Sequence, residues 1–270
     1  MIKIGCRAHD FDYHDPESLL GAVKKAGYEA VQLACPKSFG WAYPLDEAQA
    51  EAINLASEKH GVEITVLGCY VDMAVRDKEK REEAIKKYIN GLKTGKALNV
   101  RCVGTETVNF HGPMAERREM FGILADAVKR AAEEAEKLGV NMGIEPVFDH
   151  TLWTPEMALE LKEKVGSDRI KWIWDAINLL DPNDPEENAV KQKKTAELLG
   201  KDIVAMHIKD ARYKDTKVKK ECPLFEGEYD WRFPFEWAAR QKDMVLLREQ
   251  AIEDRSAAEI AGMKKLLGMG

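Results

Sequence analysis

The fold is decided by the stretch Asn141-Met-Gly-Ile-Glu-Pro-Val-Phe-Asp-His-Thr-Leu-Trp-Thr-Pro-Glu156. It begins as a short apolar run that ends in a carboxylate, Glu145. Pro146 stops this run because proline cannot donate a hydrogen bond to a strand ladder. Thr154-Pro155-Glu156 then has the composition of a helix start, with a capping hydroxyl, a proline at the first helical position and an acid in the first turn. The stretch therefore predicts a strand, a loop and a helix, with Glu145 where the strand meets the loop.

The same alternation runs along the whole chain. Short apolar runs predict eight strands, at residues 2–6, 28–33, 63–69, 100–104, 140–145, 170–175, 203–207 and 244–248. Amphipathic stretches predict helices between them, at about 15–26, 46–60, 77–98, 114–138, 154–166, 184–200, 233–240 and 256–267, with an irregular segment at 209–229. Eight strands alternating with helices over 270 residues predict a single (β/α)₈ TIM barrel of parallel strands, one domain over residues 1–270. An open doubly wound sheet is the alternative, but the GxGxxG turn is absent after the first strand.

Composition restricts the partners and the compartment. The chain has 41 basic and 47 acidic residues, a net charge of −6, which argues against a general affinity for nucleic acid or for an anionic membrane. No apolar run approaches the roughly 18 residues of a membrane span. The five cysteines are widely spaced and include no CxxC pair. With an N-terminus that enters a strand pattern directly, these features predict a cytoplasmic protein.

Four predicted strands end in residues that can bind a metal: Glu145, Asp175, His207 and Glu249. In a (β/α)₈ barrel the carboxyl ends of the strands form the rim where active sites are built. Three carboxylates in a partly dry rim repel one another unless some are protonated or a cation neutralises them. One imidazole with three carboxylates suits Mn²⁺ best, with Mg²⁺ or Co²⁺ as alternatives, because hard oxygen donors predominate. The sequence therefore predicts one divalent metal ion at the rim.

Other polar residues near these strand ends are candidates for substrate binding: Glu106, Asn178, Lys209 and Arg212. The two-residue period of a strand places Lys209 on the same side as His207, one step farther out. Each candidate also has an ordinary explanation. Glu106 could bond backbone at the rim, Asn178 could serve a helix-starting turn, and Lys209 with Arg212 could neutralise nearby acids.

Five segments together resemble the xylose-isomerase-like barrel superfamily: Glu145-Pro146, Trp174-Asp-Ala-Ile-Asn178, His207-Ile-Lys-Asp-Ala-Arg212, Gly227-Glu-Tyr-Asp-Trp231 and Leu247-Arg-Glu249. This superfamily contains ketose 3-epimerases, inosose dehydratases, hydroxypyruvate isomerases and endonuclease IV. The resemblance covers nearly the whole chain in order. It implies that Glu145, Asp175, His207 and Glu249 are the shared metal ligands. It also implies that Glu145 and Glu249 are the catalytic pair that moves protons.

Two departures from the superfamily pattern limit the resemblance. The epimerases and endonuclease IV carry a histidine three residues after the metal-binding aspartate, where this chain has Asn178. Endonuclease IV needs further histidines for its additional metals, and this chain has six in all. An abasic-site nuclease is therefore disfavoured.

The expected function is a metal-dependent sugar isomerase or epimerase that abstracts a proton beside a carbonyl and forms an enediolate. A lyase that dehydrates a keto-inositol or an oxidised sugar remains the alternative in the same fold, and a non-catalytic sugar-binding barrel is a third. The expected partners are a small carbohydrate or cyclitol and, in a homodimer or homotetramer, further copies of the chain. The segment after Glu249 is acidic and lacks glycine, so a neutral substrate is favoured over a phosphorylated one.

Overall fold

The computed structural model describes residues 1–110 and 112–269, and it contains a closed barrel of eight parallel strands. The strands pair around the barrel in the order β1, β10, β7, β6, β5, β4, β3, β2. Their bounds are β1 (Ile2–Arg7), β2 (Ala30–Leu33), β3 (Glu63–Gly68), β4 (Cys102–Glu106), β5 (Met142–Glu145), β6 (Ile170–Asp175), β7 (Ile203–Ile208) and β10 (Met244–Arg248). The predicted (β/α)₈ barrel is confirmed, and each strand boundary lies within two residues of its predicted position.

Helices follow the strands and cover the outside of the barrel. They are α1 (Pro16–Lys25), α2 (Cys35–Ser38), α3 (Glu47–His60), α4 (Lys78–Ala97), α5 (Met114–Leu138), α6 (Pro155–Val165), α7 (Pro185–Leu199), α8 (Arg232–Ala239) and α9 (Ser256–Leu266). The predicted cap of α6 is confirmed, since the side chain of Thr154 accepts a backbone hydrogen bond from the first turn. Asp15 and Asp184 cap α1 and α7 in the same way. None of the described helices has the length and apolarity to cross a membrane.

The segment predicted to be irregular contains a short antiparallel hairpin, β8 (Asp210–Arg212) with β9 (Lys220–Cys222). Asp210 is buried, and its carboxylate accepts hydrogen bonds from the backbone N–H groups of Ala211, Phe225 and Gly227. One side chain thus organises the loop that follows it. Hydrophobic periodicity does not reveal such bonds, which is why the sequence predicts no strand there.

The barrel interior is filled by small and medium apolar side chains: Ala30, Val66, Cys102, Ile173, Ala205, Val245 and Leu247. A larger cluster packs between the strands and the helices, and it includes the buried rings of Trp172 and Trp174 from β6. Ile173 therefore points into the barrel while its two neighbours point out, as the two-residue period of a strand requires. The same period makes Asp175 the next inward residue of β6.

The same two-residue period identifies the inward-pointing residues of the other strands that end in polar side chains. Two residues beyond an interior position come Gln32, His207 and Glu249, which follow Ala30, Ala205 and Leu247. Glu106 and Glu145 follow Gly104 and Gly143 in the same way, and the two pairs are in register between β4 and β5. The barrel therefore gathers these side chains at its carboxyl end.

The close packing around Gly143 allows the structure of the barrel interior to be tested by adding a single methyl group. A Cβ atom at this residue would lie 2.5 Å from Sγ of Cys102 and 3.2 Å from Cδ1 of Ile173. We expect Gly143→Ala to lower the free energy of unfolding by about 1–3 kcal/mol, the usual cost of overpacking a core. Gly122→Ala, on the exposed face of α5 with nothing within 4 Å of the new Cβ, is the matched control. It should raise the free energy of unfolding by about 0.5–1 kcal/mol, since alanine loses less entropy than glycine in a helix. Equal effects of both changes in urea unfolding would contradict this packing.

Candidate active site

Two glutamates approach one histidine at the carboxyl end of the barrel. Oε2 of Glu145, the last residue of β5, lies 2.9 Å from Nδ1 of His207 on β7. Oε1 of Glu249, directly after β10, lies 3.5 Å from the same nitrogen. All three side chains are buried. Residues far apart in the sequence thus form one ionisable cluster with little contact with water.

Three of the four predicted metal ligands come together in the geometry of a cation site. Ligand atoms of Glu145, Asp175 and His207 all lie within 4.8 Å of one another. Oδ1 of Asp175 accepts hydrogen bonds from the backbone N–H groups of Ile177 and Asn178, at 2.8 and 2.9 Å. Its Oδ2 and Nδ1 of His207 are both buried, and each contacts an oppositely charged side chain, Lys209 Nζ at 3.0 Å and Glu145 Oε2 at 2.9 Å, in neither case with hydrogen-bond geometry. A divalent cation held by these two atoms would replace ion-pair contacts and break no hydrogen bond at either atom.

The fourth predicted ligand, Glu249, is engaged by cations of the protein itself. Lys209 Nζ lies 2.9 Å from Oε2 of Glu249 and 3.0 Å from Oδ2 of Asp175. Arg7 Nη1 lies 3.6 Å from Oε1 of Glu249. Glu249 does not belong to the group of Glu145, Asp175 and His207 whose ligand atoms all lie within 4.8 Å of one another. Lys209 is therefore placed to neutralise two carboxylates of the cluster.

The second nitrogen of His207 is held by a partner that sequence analysis did not select. Nε2 of His207 lies 2.6 Å from the side-chain oxygen of Gln32, and the amide nitrogen of Gln32 donates to the hydroxyl of Tyr70. Gln32 is buried near the end of β2. A hydrogen bond at Nε2 fixes the ring orientation and leaves Nδ1 facing Glu145 and Glu249.

The charges in this cluster shift its proton affinities. Burial alone would lower the pKa of His207, but the negative charges of Glu145 and Glu249 raise it to about 9. Burial would raise the pKa of Glu249, but His207, Lys209 and Arg7 hold it well below its usual range. Burial, followed by repulsion from Glu145 and Glu249, raises the pKa of Glu106 to about 8. The site therefore contains a carboxylate that stays charged and a carboxyl group that keeps its proton near neutral pH.

A cavity of about 590 Å³ opens above the cluster. Of the predicted substrate-binding residues, Glu106, Asn178 and Lys209 line it, and Asn178 also donates a hydrogen bond to Oε1 of Glu145. Arg212 is not part of the lining. It is exposed on the hairpin, where its Nε donates to the carbonyl oxygen of Glu226 at 3.2 Å. The structure thus brings three of the four predicted residues to the cavity.

Several residues of the site were not predicted from sequence: Arg7, Gln32, Lys37, Tyr70, His150 and Lys219. A signal existed for the first two, because Arg7 directly follows the first predicted strand and Gln32 is a polar residue inside the second. The same strand-end rule that selected Glu145 would have selected them. Tyr70 and Lys219 come from loops, whose course the sequence pattern does not reveal.

Solved structures with the same fold include several sugar enzymes. D-psicose 3-epimerase from Clostridium cellulolyticum H10, solved with D-tagatose, superposes with a TM-score of 0.75, 16% identity and coverage of 98% of this chain and 99% of that one. The IolI protein with a bound zinc atom superposes with a TM-score of 0.79 and 16% identity, covering 98% of each chain. A xylose isomerase-like protein from Mycobacterium smegmatis in complex with magnesium superposes with a TM-score of 0.73 and 14% identity. The match covers 99% of this chain and 98% of that one.

These identities are low, and the structural likeness establishes the fold. No curated protein matches the chain in sequence. The model of one protein family, described as xylose isomerase-like TIM barrel, matches residues 20–266. That match spans most of the chain, including all four predicted metal ligands. The chain therefore belongs to the xylose isomerase-like TIM barrel family.

Proposed function

We propose that this protein is a divalent-metal-dependent sugar isomerase or epimerase that works by proton abstraction beside a carbonyl. The observation that carries the proposal is that Glu145 and Glu249 lie 2.9 and 3.5 Å from one imidazole nitrogen, next to a sugar-sized cavity that Glu249 lines. Solved epimerases with the same fold support the reaction class. The family contains enzymes of this kind, and the acid–base pair supplies the chemistry.

Glu145, Asp175 and His207 would hold the cation, and Glu249 would join them by exchanging its contact with Lys209. Mn²⁺ is our first choice because carboxylate oxygens outnumber the single imidazole, although solved relatives carry zinc or magnesium. When bound, a divalent cation would polarise the substrate carbonyl and stabilise negative charge on its oxygen. Oδ2 of Asp175 and Nδ1 of His207 support this arrangement, because both are buried and make ion-pair contacts without hydrogen-bond geometry.

Glu249 and Glu145 have different roles in the proposed proton transfers. In the metal-free protein His207, Lys209 and Arg7 keep Glu249 ionised. A bound cation would supply the positive charge in place of protonated His207 and Lys209, and an ionised Glu249 suits a general base. Glu145 is the second acid–base group, and in its protonated form it donates a proton to the same carbon in an epimerisation, or to the adjacent carbon in an isomerisation. Proton exchange with water then returns Glu145 and Glu249 to their starting forms. Asn178 orients Glu145 through its hydrogen bond. Glu106, which lines the cavity and keeps its proton near neutral pH, would donate a hydrogen bond to a substrate oxygen.

The two glutamates can be tested by solvent deuterium uptake into a panel of ketoses. We expect Glu145→Gln and Glu249→Gln each to reduce the rate of uptake by about 10²–10⁴-fold, the usual contribution of general acid–base catalysis. Glu253→Gln, at an exposed position near Glu249, should leave the rate unchanged. Uptake should require added metal.

Product mass separates this reaction from its rival. Isomerisation and epimerisation conserve mass, whereas dehydration removes water. If both glutamine variants keep full activity, or if the product is 18 mass units lighter, the proposed reaction is wrong.

Gln32 provides a test of metal binding that needs no turnover. We expect Gln32→Leu to weaken divalent-metal affinity about 10–100-fold, because the imidazole loses the hydrogen bond that orients it. Gln32→Glu keeps an acceptor and should retain more of the affinity. The control is Gln241→Leu, which removes an amide bonded to the carbonyl of Trp237, away from the site. Calorimetric titration with Mn²⁺ measures all three, and equal affinities would show that Gln32 plays no part.

The pKa of His207 predicts a pH dependence of metal binding. In the metal-free protein His207 is protonated at pH 7, since its pKa is about 9. Binding through Nδ1 requires the neutral ring, so binding at pH 7 should release about one proton. Affinity should then rise about tenfold per pH unit from 7 and level off above about 9. Titration in two buffers with different ionisation enthalpies counts the protons. Pure loss of affinity as pH rises would contradict the assignment.

A further inference from the structure

A second cavity, of about 380 Å³, adjoins the first one between the loops that follow β2 and β3. We call it the apolar pocket and define it by Ala34, Pro36, Ala42, Tyr43, Tyr70 and Val71. Its walls are mostly carbon, in contrast to the polar cavity above His207. None of the chemistry described above uses it.

The two cavities are neighbours, and Tyr70 and Lys37 line both of them. Tyr70 points its hydroxyl toward Gln32, next to His207, while its ring forms a side of the apolar pocket. The ring stands over Gly68, where an added Cβ would lie 3.0 Å from the Cε2 atom of Tyr70. Lys37 Nζ lies 4.9 Å from the centre of this ring. A ligand that lies in the polar cavity and extends over Tyr70 and Lys37 would therefore reach the apolar pocket.

The polar groups of Tyr43 and Lys87, which line the apolar pocket, already have partners within the protein. The hydroxyl of Tyr43 donates to the carbonyl oxygen of Gly68 and accepts from the backbone N–H of Cys35, both at 3.0 Å. Lys87, at the rim, pairs with Glu83 at 2.8 Å. The pocket therefore suits a group that brings no hydrogen-bonding atoms of its own, since burying such atoms without partners is costly.

We propose that the apolar pocket binds an aryl or alkyl substituent of the carbohydrate substrate. This inference rests on the proposed function, because the reacting carbons would lie in the polar cavity beside Glu145 and Glu249. The substrate is then a sugar that carries an apolar group on one of its oxygens. The shared wall of Tyr70 and Lys37 favours part of the substrate over a separate partner molecule, which would have to lie against the same two side chains as the bound sugar.

The pocket can be tested without turnover by using phenol as a probe, since its ring matches the proposed aryl group and its oxygen stands for the sugar oxygen that carries that group. In the full chain with alanine and valine methyl groups labelled with ¹³C, phenol should shift the signals of Ala34, Ala42 and Val71 saturably, with a Kd in the millimolar range. Ala42→Trp, an exposed position on the wall, should fill the pocket and weaken phenol binding at least tenfold. Ala48→Trp, on the exposed face of α3, makes the same chemical change elsewhere and should leave binding unaltered.

The second arm measures selectivity in deuterium uptake by the metal-loaded protein. We expect a preference for O-benzyl ketoses over the parent ketoses, and this ratio should fall at least tenfold in Ala42→Trp relative to Ala48→Trp. The inference is overturned if phenol does not bind, binds elsewhere or is unaffected by Ala42→Trp. It is also overturned if the selectivity ratio does not change, or if Ala42→Trp alters the sedimentation coefficient, which would show that another copy covers the pocket. Phenol binding in the pocket without exchange of any sugar would instead count against the proposed function.

Discussion

The site depends on one geometric constraint, the alternation of inward and outward side chains along parallel strands that close on themselves. Once Ile173 and Leu247 pack inside the barrel, Asp175 and Glu249 must also point inward, because they lie two residues farther along. Closure then brings the ends of β5, β6, β7 and β10 around a common axis. A slip of one residue in any of these strands would turn its polar residue toward the helices.

This convergence creates an electrostatic problem that the protein solves with its own cations. Glu145, Asp175 and Glu249 are buried together, and unpaired carboxylates in such surroundings would take up protons. Lys209 pairs with Asp175 and Glu249. His207 contacts Glu145 and Glu249. The same balance prepares the site for a divalent cation, since a bound ion would replace charges that the ammonium and imidazolium groups now supply.

Gly68 at the rim of the barrel leaves room for an aromatic ring beside the site. Gly68 ends β3 without a side chain, and the ring of Tyr70 occupies the space above it. From there Tyr70 bonds to Gln32, which in turn holds His207. One aromatic ring thus connects the orientation of a proposed metal ligand with the wall of the apolar pocket. A larger residue at position 68 would disturb both.

The sequence by itself determined the barrel and the strand ends, because hydrophobic period and helix caps are local properties of neighbouring residues. Glu145, Asp175, His207 and Glu249 could be selected since each directly ends or follows an apolar run. Only the tertiary structure decided that Lys209 faces two acids, that Gln32 holds His207 and that Arg212 lies on an exposed hairpin. Those contacts join residues up to 175 positions apart, and their distances follow from barrel closure and loop paths that local pattern does not encode.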